Sequence, residues 1–76
     1  MSIEEIARAL RRINPKVLVF TCGSQIYIAK REHPEEGVFP VFNQDANVYA
    51  QKDHFPRRVA ASIIQDAREV IGRARL

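Results

Sequence analysis

At the start of the chain, apolar residues recur every three or four positions, which is the spacing of one helix face. They are Ile3, Ile6, Leu10 and Ile13. Ser2 and Glu5 make the pattern of a capping box, in which each side chain binds the backbone N–H of the other residue. Pro15 disfavours a helical conformation at Asn14. The pattern therefore predicts a helix over residues 3–13.

The next segments have the shorter apolar runs that are typical of strands. Residues 16–21 (KVLVFT) are a continuous β-rich run, which predicts a central strand buried on both sides. In residues 25–31 (QIYIAKR), Ile26 and Ile28 alternate with other residues, which predicts a second strand. Only the tight turn CGS at 22–24 separates the two runs, so we expect an antiparallel hairpin.

A polar loop over residues 32–37 precedes a third predicted strand, VFPVF, at residues 38–42. Proline has no N–H to donate to a sheet ladder, so Pro40 favours the edge of the sheet for this strand. Residues 43–47 (NQDAN) predict a turn. Residues 48–51 (VYAQ) are compatible with a short fourth strand, and the pattern does not decide whether it forms.

The end of the chain predicts a long helix over residues 55–74. Pro56 is tolerated in a first helical turn, and Asp53 is a candidate cap just before it. Eight apolar residues fall within one half of the helical wheel, and this stripe must pack against another element. They are Val59, Ala60, Ile63, Ile64, Ala67, Val70, Ile71 and Ala74.

The order of these elements, with no alternation of strand and helix, predicts an α+β fold. We expect one small domain over residues 1–76, with an N-terminal helix, a three- or four-stranded antiparallel meander and a long C-terminal helix. Each helix has a single apolar stripe, and the apolar strand at 16–21 must be buried by another element. Both helices are therefore predicted on one face of the sheet.

Composition narrows the class of protein. Hydrophobic residues are 46% and charged residues 28% of the chain, as in a globular protein. The single cysteine excludes an internal disulfide, and the acidic N-terminal segment lacks the basic start of a signal peptide, which together predict a cytoplasmic location. No apolar run approaches the roughly 20 residues of a membrane-spanning helix, so no membrane association is predicted.

Candidates for catalysis or metal binding are few. Cys22, His33 and His54 are the soft metal ligands of the chain, and their spacing matches no zinc pattern. Glu35 and Glu36 are adjacent in a polar loop, where carboxylates usually face water, although they could also contact a partner. The sequence therefore predicts no enzyme, no metal, no cofactor and no small-molecule substrate.

Aromatic residues near Pro40 are candidates for a protein contact. Phe39, Phe42 and Tyr49 exceed what one face of so small a sheet needs, although each could instead belong to the core. Edge strands accept partners, and aromatic residues are enriched at contact centres. The first functional hypothesis is a non-enzymatic protein-binding module of the adaptor, regulator or inhibitor type. Its partner would be another protein or a second copy of the chain.

The positive charge of the chain supports an alternative hypothesis. The net charge is +3, and residues 54–76 hold five arginines against two acids. Arg57, Arg68 and Arg75 share one line along the predicted helix, and Arg58 lies on its outer face. The row could follow phosphates of a nucleic acid, or its side-chain stems could cover the border of the core.

The predicted order α-β-β-β-α is similar to that of double-stranded-RNA-binding modules. In those modules a basic pair begins the last helix, where Arg57 and Arg58 stand here. The chain departs from that pattern in the short CGS connection between its first two strands and in the absence of a lysine-rich start to the last helix. The likeness is one of element order, and a shared fold does not imply a shared function.

Overall fold

The computed structural model describes all 76 residues and confirms the predicted α+β architecture of an N-terminal helix, three antiparallel strands and a long C-terminal helix. The helices are α1 (Ile3–Ile13), a short α2 (Ala46–Ala50) and α3 (Arg57–Ala74), and the strands are β1 (Val17–Cys22), β2 (Gln25–Lys30) and β3 (Val38–Val41). No helix of the protein is both long and apolar enough to cross a bilayer.

The sheet is an antiparallel meander in the order β1-β2-β3. Cys22 pairs with Gln25 across the first hairpin, and Gly23 has a φ of 63°, which suits the first position of a two-residue hairpin turn. The prediction that the first strand is central was wrong. Each strand pairs with its neighbour in sequence, so β2 is central and β1 is an edge strand. The edge position predicted for the strand with Pro40 is confirmed.

The two long helices cover one face of this sheet. Ser2 caps α1, since its Oγ accepts a hydrogen bond from the Glu5 N–H while the Glu5 carboxylate accepts one from the Ser2 N–H, as the sequence predicts. Helix α1 packs mainly on β1, α3 packs mainly on β3, and the two helices touch each other. Their shared core buries Ile6, Leu10, Val17, Val19, Ile26, Ile28, Val41, Val59, Ala60, Ile63, Ala67, Val70 and Ile71.

The possible fourth strand at residues 48–51 is wrong, because this segment belongs to α2. The Asn43 side chain begins the helix by accepting hydrogen bonds from the backbone N–H groups of Asp45 and Ala46, both at 3.1 Å. Ala46 and Ala50 are one helical turn apart and both are buried. The helical spacing of these small apolar residues outweighs the β propensity of Val48 and Tyr49.

The predicted role of Asp53 as a cap of the last helix is also wrong. Its Oδ1 accepts a hydrogen bond from the Ile3 N–H at 2.7 Å, so it caps α1 instead. Helix α3 begins at Arg57, two residues later than predicted, and no side chain caps it. Phe55 precedes it as a fully buried core residue, and its N–H donates to the Met1 carbonyl at 2.6 Å.

The polar loop between β2 and β3 contains one short helical turn that the sequence pattern does not predict. This is a single 3-10 turn over Pro34–Glu36, with no buried residue. Lys30, at the end of β2, binds the Glu36 carboxylate at 2.7 Å and fixes the turn against the strand.

Candidate functional site

The face of the sheet that points away from the helices is apolar. The residues that alternate with the buried core positions of the strands form this surface, which we call the open face. Its centre consists of Leu18 and Phe20 on β1, Tyr27 and Ala29 on β2, and Val38 and Pro40 on β3, and Cys22 and the polar Gln25 continue it at the hairpin end. Antiparallel sheets that meet solvent on one side usually carry polar residues there. The open face lacks that polar character.

The open face does not share the hydrophobic core. Several partly buried apolar side chains pack against the core, but Leu18, Phe20, Tyr27, Val38 and Pro40 are not among them. Ala29 is fully buried yet is also outside the core cluster. Leu18 and Val38 are its direct neighbours on the two flanking strands. The open face is therefore a second apolar cluster, separated from the first by the sheet backbone.

At the middle of the open face, two aromatic rings stack across neighbouring strands. Phe20 and Tyr27 are directly paired, with ring centroids 5.6 Å apart and an angle of 23° between the ring planes. The only charged residue within the three strands is Lys30, and its partner Val17 belongs to the opposite, helix-covered face. The centre of the open face thus holds aromatic and aliphatic groups with no charge among them.

The three aromatic residues predicted as contacts lie in different surroundings. Phe39 and Tyr49 are half-buried and pack against the core. Phe42 is 77% exposed, follows β3 directly and borders a shallow depression with Gln25. Of the three, Phe42 alone presents most of its surface to solvent, at the rim of the open face.

Phe20 and Tyr27 are not among the predicted contacts, because the sequence pattern places the first strand in a fully buried centre. A usable signal is nevertheless present in the sequence. The tight turn sets Phe20 opposite Tyr27, and both helices are expected on one face. An apolar residue on the other face of β1 then has no element of this chain to cover it.

The arginines of α3 are all exposed. Arg57, Arg58, Arg68 and Arg75 have no carboxylate within 4.0 Å. The other arginine of this helix, Arg73, is also free of ion pairs, so the pairing with the glutamate one turn earlier that helical spacing favours does not form. The Asp66 carboxylate pairs with no arginine and instead accepts a hydrogen bond at Oδ2 from the Asn43 side chain at 2.8 Å. The arginines of the predicted basic row are thus exposed and free of ion pairs.

One small group of side chains has the composition of a metal site. Ligand atoms of His33, Glu35 and Glu36 lie within 4.8 Å of one another, and all three residues are exposed. Lys30 forms an ion pair with Glu36. The hydrogen bond and the charge of the Lys30 ammonium group lower the pKa of the Glu36 carboxyl below its ordinary value. Cys22 and His54 are not in this group. Ion pairing among neighbouring side chains explains why His33, Glu35 and Glu36 lie close together.

Comparison of the chain with protein-family models, with curated proteins and with solved structures finds no match.

Proposed function

We propose that the protein is a small, non-enzymatic protein-binding module that uses the open face of its sheet, and that the partner on this face is a second copy of the chain. The observation that carries the proposal is the apolar open face, centred on the Phe20–Tyr27 stack and not packed against the core. Apolar area of this kind gains free energy when it leaves water.

A second copy suits this surface for three reasons. With no charged side chain at its centre, the open face does not repel its own copy. Two sheets pack well face to face about 10 Å apart, which lets the side chains of both inner faces interdigitate. A two-fold axis through the Phe20–Tyr27 stack would place the same patch on both sides, as symmetric dimers require. A small chain also gains much from such burial, because its own core is limited.

The size of the open face predicts a weak, reversible dimer. Three strands about 4.8 Å apart, two with six residues and one with four, rising about 3.3 Å per residue, have a flat footprint on the order of 250 Å². A standard interface buries about 800 Å² on each partner. Even with Phe42 extending the contact, we expect an association that depends strongly on protein concentration. The single cysteine is the basis for proposing a cytoplasmic setting.

Sedimentation velocity over a wide range of concentrations tests this proposal. We expect the parent protein to shift from monomer to dimer as concentration rises, and we expect Phe20→Lys to remain monomeric, because the dimer would bury its charge. Val48→Lys is the matched control, since Val48 is 66% exposed but lies on α2, outside the open face. A parent that stays monomeric at millimolar concentration contradicts self-association, and so does a Val48→Lys variant that loses the dimer equally.

Nucleic-acid binding by α3 is a second candidate, favoured by its unpaired arginines. Replacing Arg57, Arg58 and Arg68 by glutamine should weaken binding to DNA or RNA and flatten its dependence on salt. Each phosphate contact contributes about 0.7–0.9 to the slope of log K against log salt, so three contacts contribute roughly two units or more. Fluorescence anisotropy at several salt concentrations measures this slope, and an unchanged slope contradicts the candidate.

A further inference from the structure

The largest cavity of the protein lies at one end of the sheet, away from the centre of the open face. It has a volume of about 470 Å³. The residues just before β1, the end of β2 with the loop that follows it, and the last residues of the chain after α3 line this open cavity. Small-ligand sites typically have volumes of about 300–1,000 Å³ and are mostly apolar. This cavity has the size of such a site, but its lining is mainly charged, which favours a charged ligand.

The lining of the cavity is rich in positive charge. Lys16, Lys30, Arg31 and Arg75 all contribute to it, and Glu32 is the only acidic side chain among the lining residues. Lys30 is paired with a glutamate outside the cavity lining. The other three cations have no carboxylate within 4.0 Å. Cations gathered without counterions attract an anion that can contact several of them at once.

The backbone brings these cations together at a conformational cost. Arg75 has φ 57° and ψ 41°, the left-handed conformation that ends a helix and that glycine adopts most easily. The turn is closed by a hydrogen bond from the Leu76 N–H to the Ile71 carbonyl at 3.1 Å. An arginine in this position is strained where a glycine would not be. Strained residues of this kind are found mainly at functional sites.

Asn14 holds the two walls of the cavity in place. Its side-chain Nδ2 donates to the Leu76 carbonyl oxygen at 2.8 Å, and its Oδ1 accepts from the Lys16 N–H at 2.9 Å. The residue that ends α1 thus fixes both the last turn of the chain and the start of β1. The backbone positions from which the Lys16 and Arg75 side chains extend are therefore set by the fold before any ligand arrives.

We propose that this cavity binds a phosphate group, either of a free phosphorylated small molecule or at the end of a nucleotide chain. Arginine guanidinium groups match phosphate oxygens with two parallel hydrogen bonds, and lysine adds a point charge. Arg31 and Arg75 donate the paired hydrogen bonds and Lys16 supplies the third cation. The volume exceeds that of phosphate alone, so the remainder of the ligand also has room inside.

NMR titration of the labelled protein tests this site, with pyrophosphate, adenosine monophosphate and a short oligonucleotide with and without a 5′-phosphate as probes. We expect saturable shifts in the residues lining the cavity. We also expect Arg75→Gly to weaken binding about tenfold or more, the loss of one charge-assisted contact. The same variant should melt at the same or a higher temperature, because glycine relieves the left-handed conformation. Stability and binding would then move in opposite directions.

Arg73→Gln is the matched control, since Arg73 is an exposed, unpaired arginine of α3 that does not line the cavity and is not among the arginines of the nucleic-acid candidate. It should leave phosphate binding unchanged. Equal losses in Arg73→Gln and Arg75→Gly would show general attraction of anions and would overturn the site, as would shifts that never saturate. Binding of the oligonucleotide only when it is phosphorylated identifies a chain end, whereas binding of pyrophosphate alone identifies a small-molecule site. Phe20→Lys should keep the phosphate site, which separates this inference from the proposed dimer.

Discussion

The two faces of the sheet are built from similar residues and lie in opposite surroundings. Ile26 and Ile28 on the central strand are buried under the helices, whereas Tyr27 between them is only half-buried on the open face. On β1 the same contrast separates Val17 and Val19 from Leu18 and Phe20. Hydrophobicity alone thus does not decide which face becomes core. The position of the two helices decides it, and it leaves an apolar face that a partner can cover.

The largest expected effect comes from equal truncations on the two faces. Ile28→Ala and Leu18→Ala each remove three carbon atoms, but Ile28 is fully buried and Leu18 only partly. We expect Ile28→Ala to lower the free energy of unfolding by about 2–5 kcal/mol. Leu18→Ala should cost about 1 kcal/mol or less in dilute solution, because much of its side chain already meets water.

Urea denaturation of both variants measures this contrast. A self-associating open face adds a further expectation, namely that the cost of Leu18→Ala rises with protein concentration while that of Ile28→Ala changes less. Equal costs for the two variants in dilute solution would mean that the open face is as well covered as the core, and the contrast between the faces would fail.

The second effect concerns the hydrogen bond that links the start of α1 to the segment before α3. Asp53 caps α1 from the segment before α3, so Asp53→Ala should lower the free energy of unfolding by about 1 kcal/mol. Asp53 has a φ of 50°, a conformation that asparagine also tolerates, and an asparagine side chain keeps an acceptor oxygen. The Asp53→Asn variant should therefore cost less. Thermal melts of both variants measure the difference, and equal losses would assign the effect to the negative charge rather than to the hydrogen bond.

A third and similar effect is expected within the open face itself. The Phe20–Tyr27 stack should have a coupling energy of about 0.5–1.5 kcal/mol, measured by a double-mutant cycle with alanine at both positions. The cycle must be run at concentrations where the protein is monomeric. A coupling energy near zero there would mean that the rings contribute to a partner contact and not to the fold of the single chain.

The smallest effect concerns the ion pair between Glu36 and Lys30, the last residue of β2 and the one charged residue of the sheet. The Lys30 ammonium group lowers the pKa of the Glu36 carboxyl in the folded protein. A group with a lowered folded pKa contributes stability above its unfolded pKa and loses that contribution as pH falls through the folded pKa. The contribution should therefore be present at neutral pH and disappear at acidic pH, below the ordinary value of 4.5.

Glu36→Gln should remove this pH-dependent part and leave the remainder of the stability profile unchanged. Melting temperatures of parent and variant, compared at neutral and at strongly acidic pH, measure it, and the two curves should converge at the acidic end. Because Glu36 is fully exposed, the effect is screened by water and by salt. A difference that persists at low pH would point to a structural role for the Glu36 side chain beyond its charge.

The elements of this protein follow largely from local patterns. The capping box determined the start of α1, and Pro15 determined its end. The alternation of residues 25–31 and the turn at Gly23 determined the hairpin. The wheel of α3 identified its six buried residues correctly. Each of these features depends on neighbours within one or two turns of chain, so the sequence alone carries it.

The candidate sites depended on contacts between distant parts of the chain. Asp53 caps a helix 50 positions away, and Asn14 binds a carbonyl 62 positions away, so neither partner is visible in a local pattern. Phe39 turns to the core and Phe20 to the open face only because both helices settle on one side of the sheet. The sequence by itself determined the two long helices and the three strands. Only the tertiary structure decided which apolar face stays uncovered and which cations meet in one cavity, because burial and charge clustering are properties of packed elements.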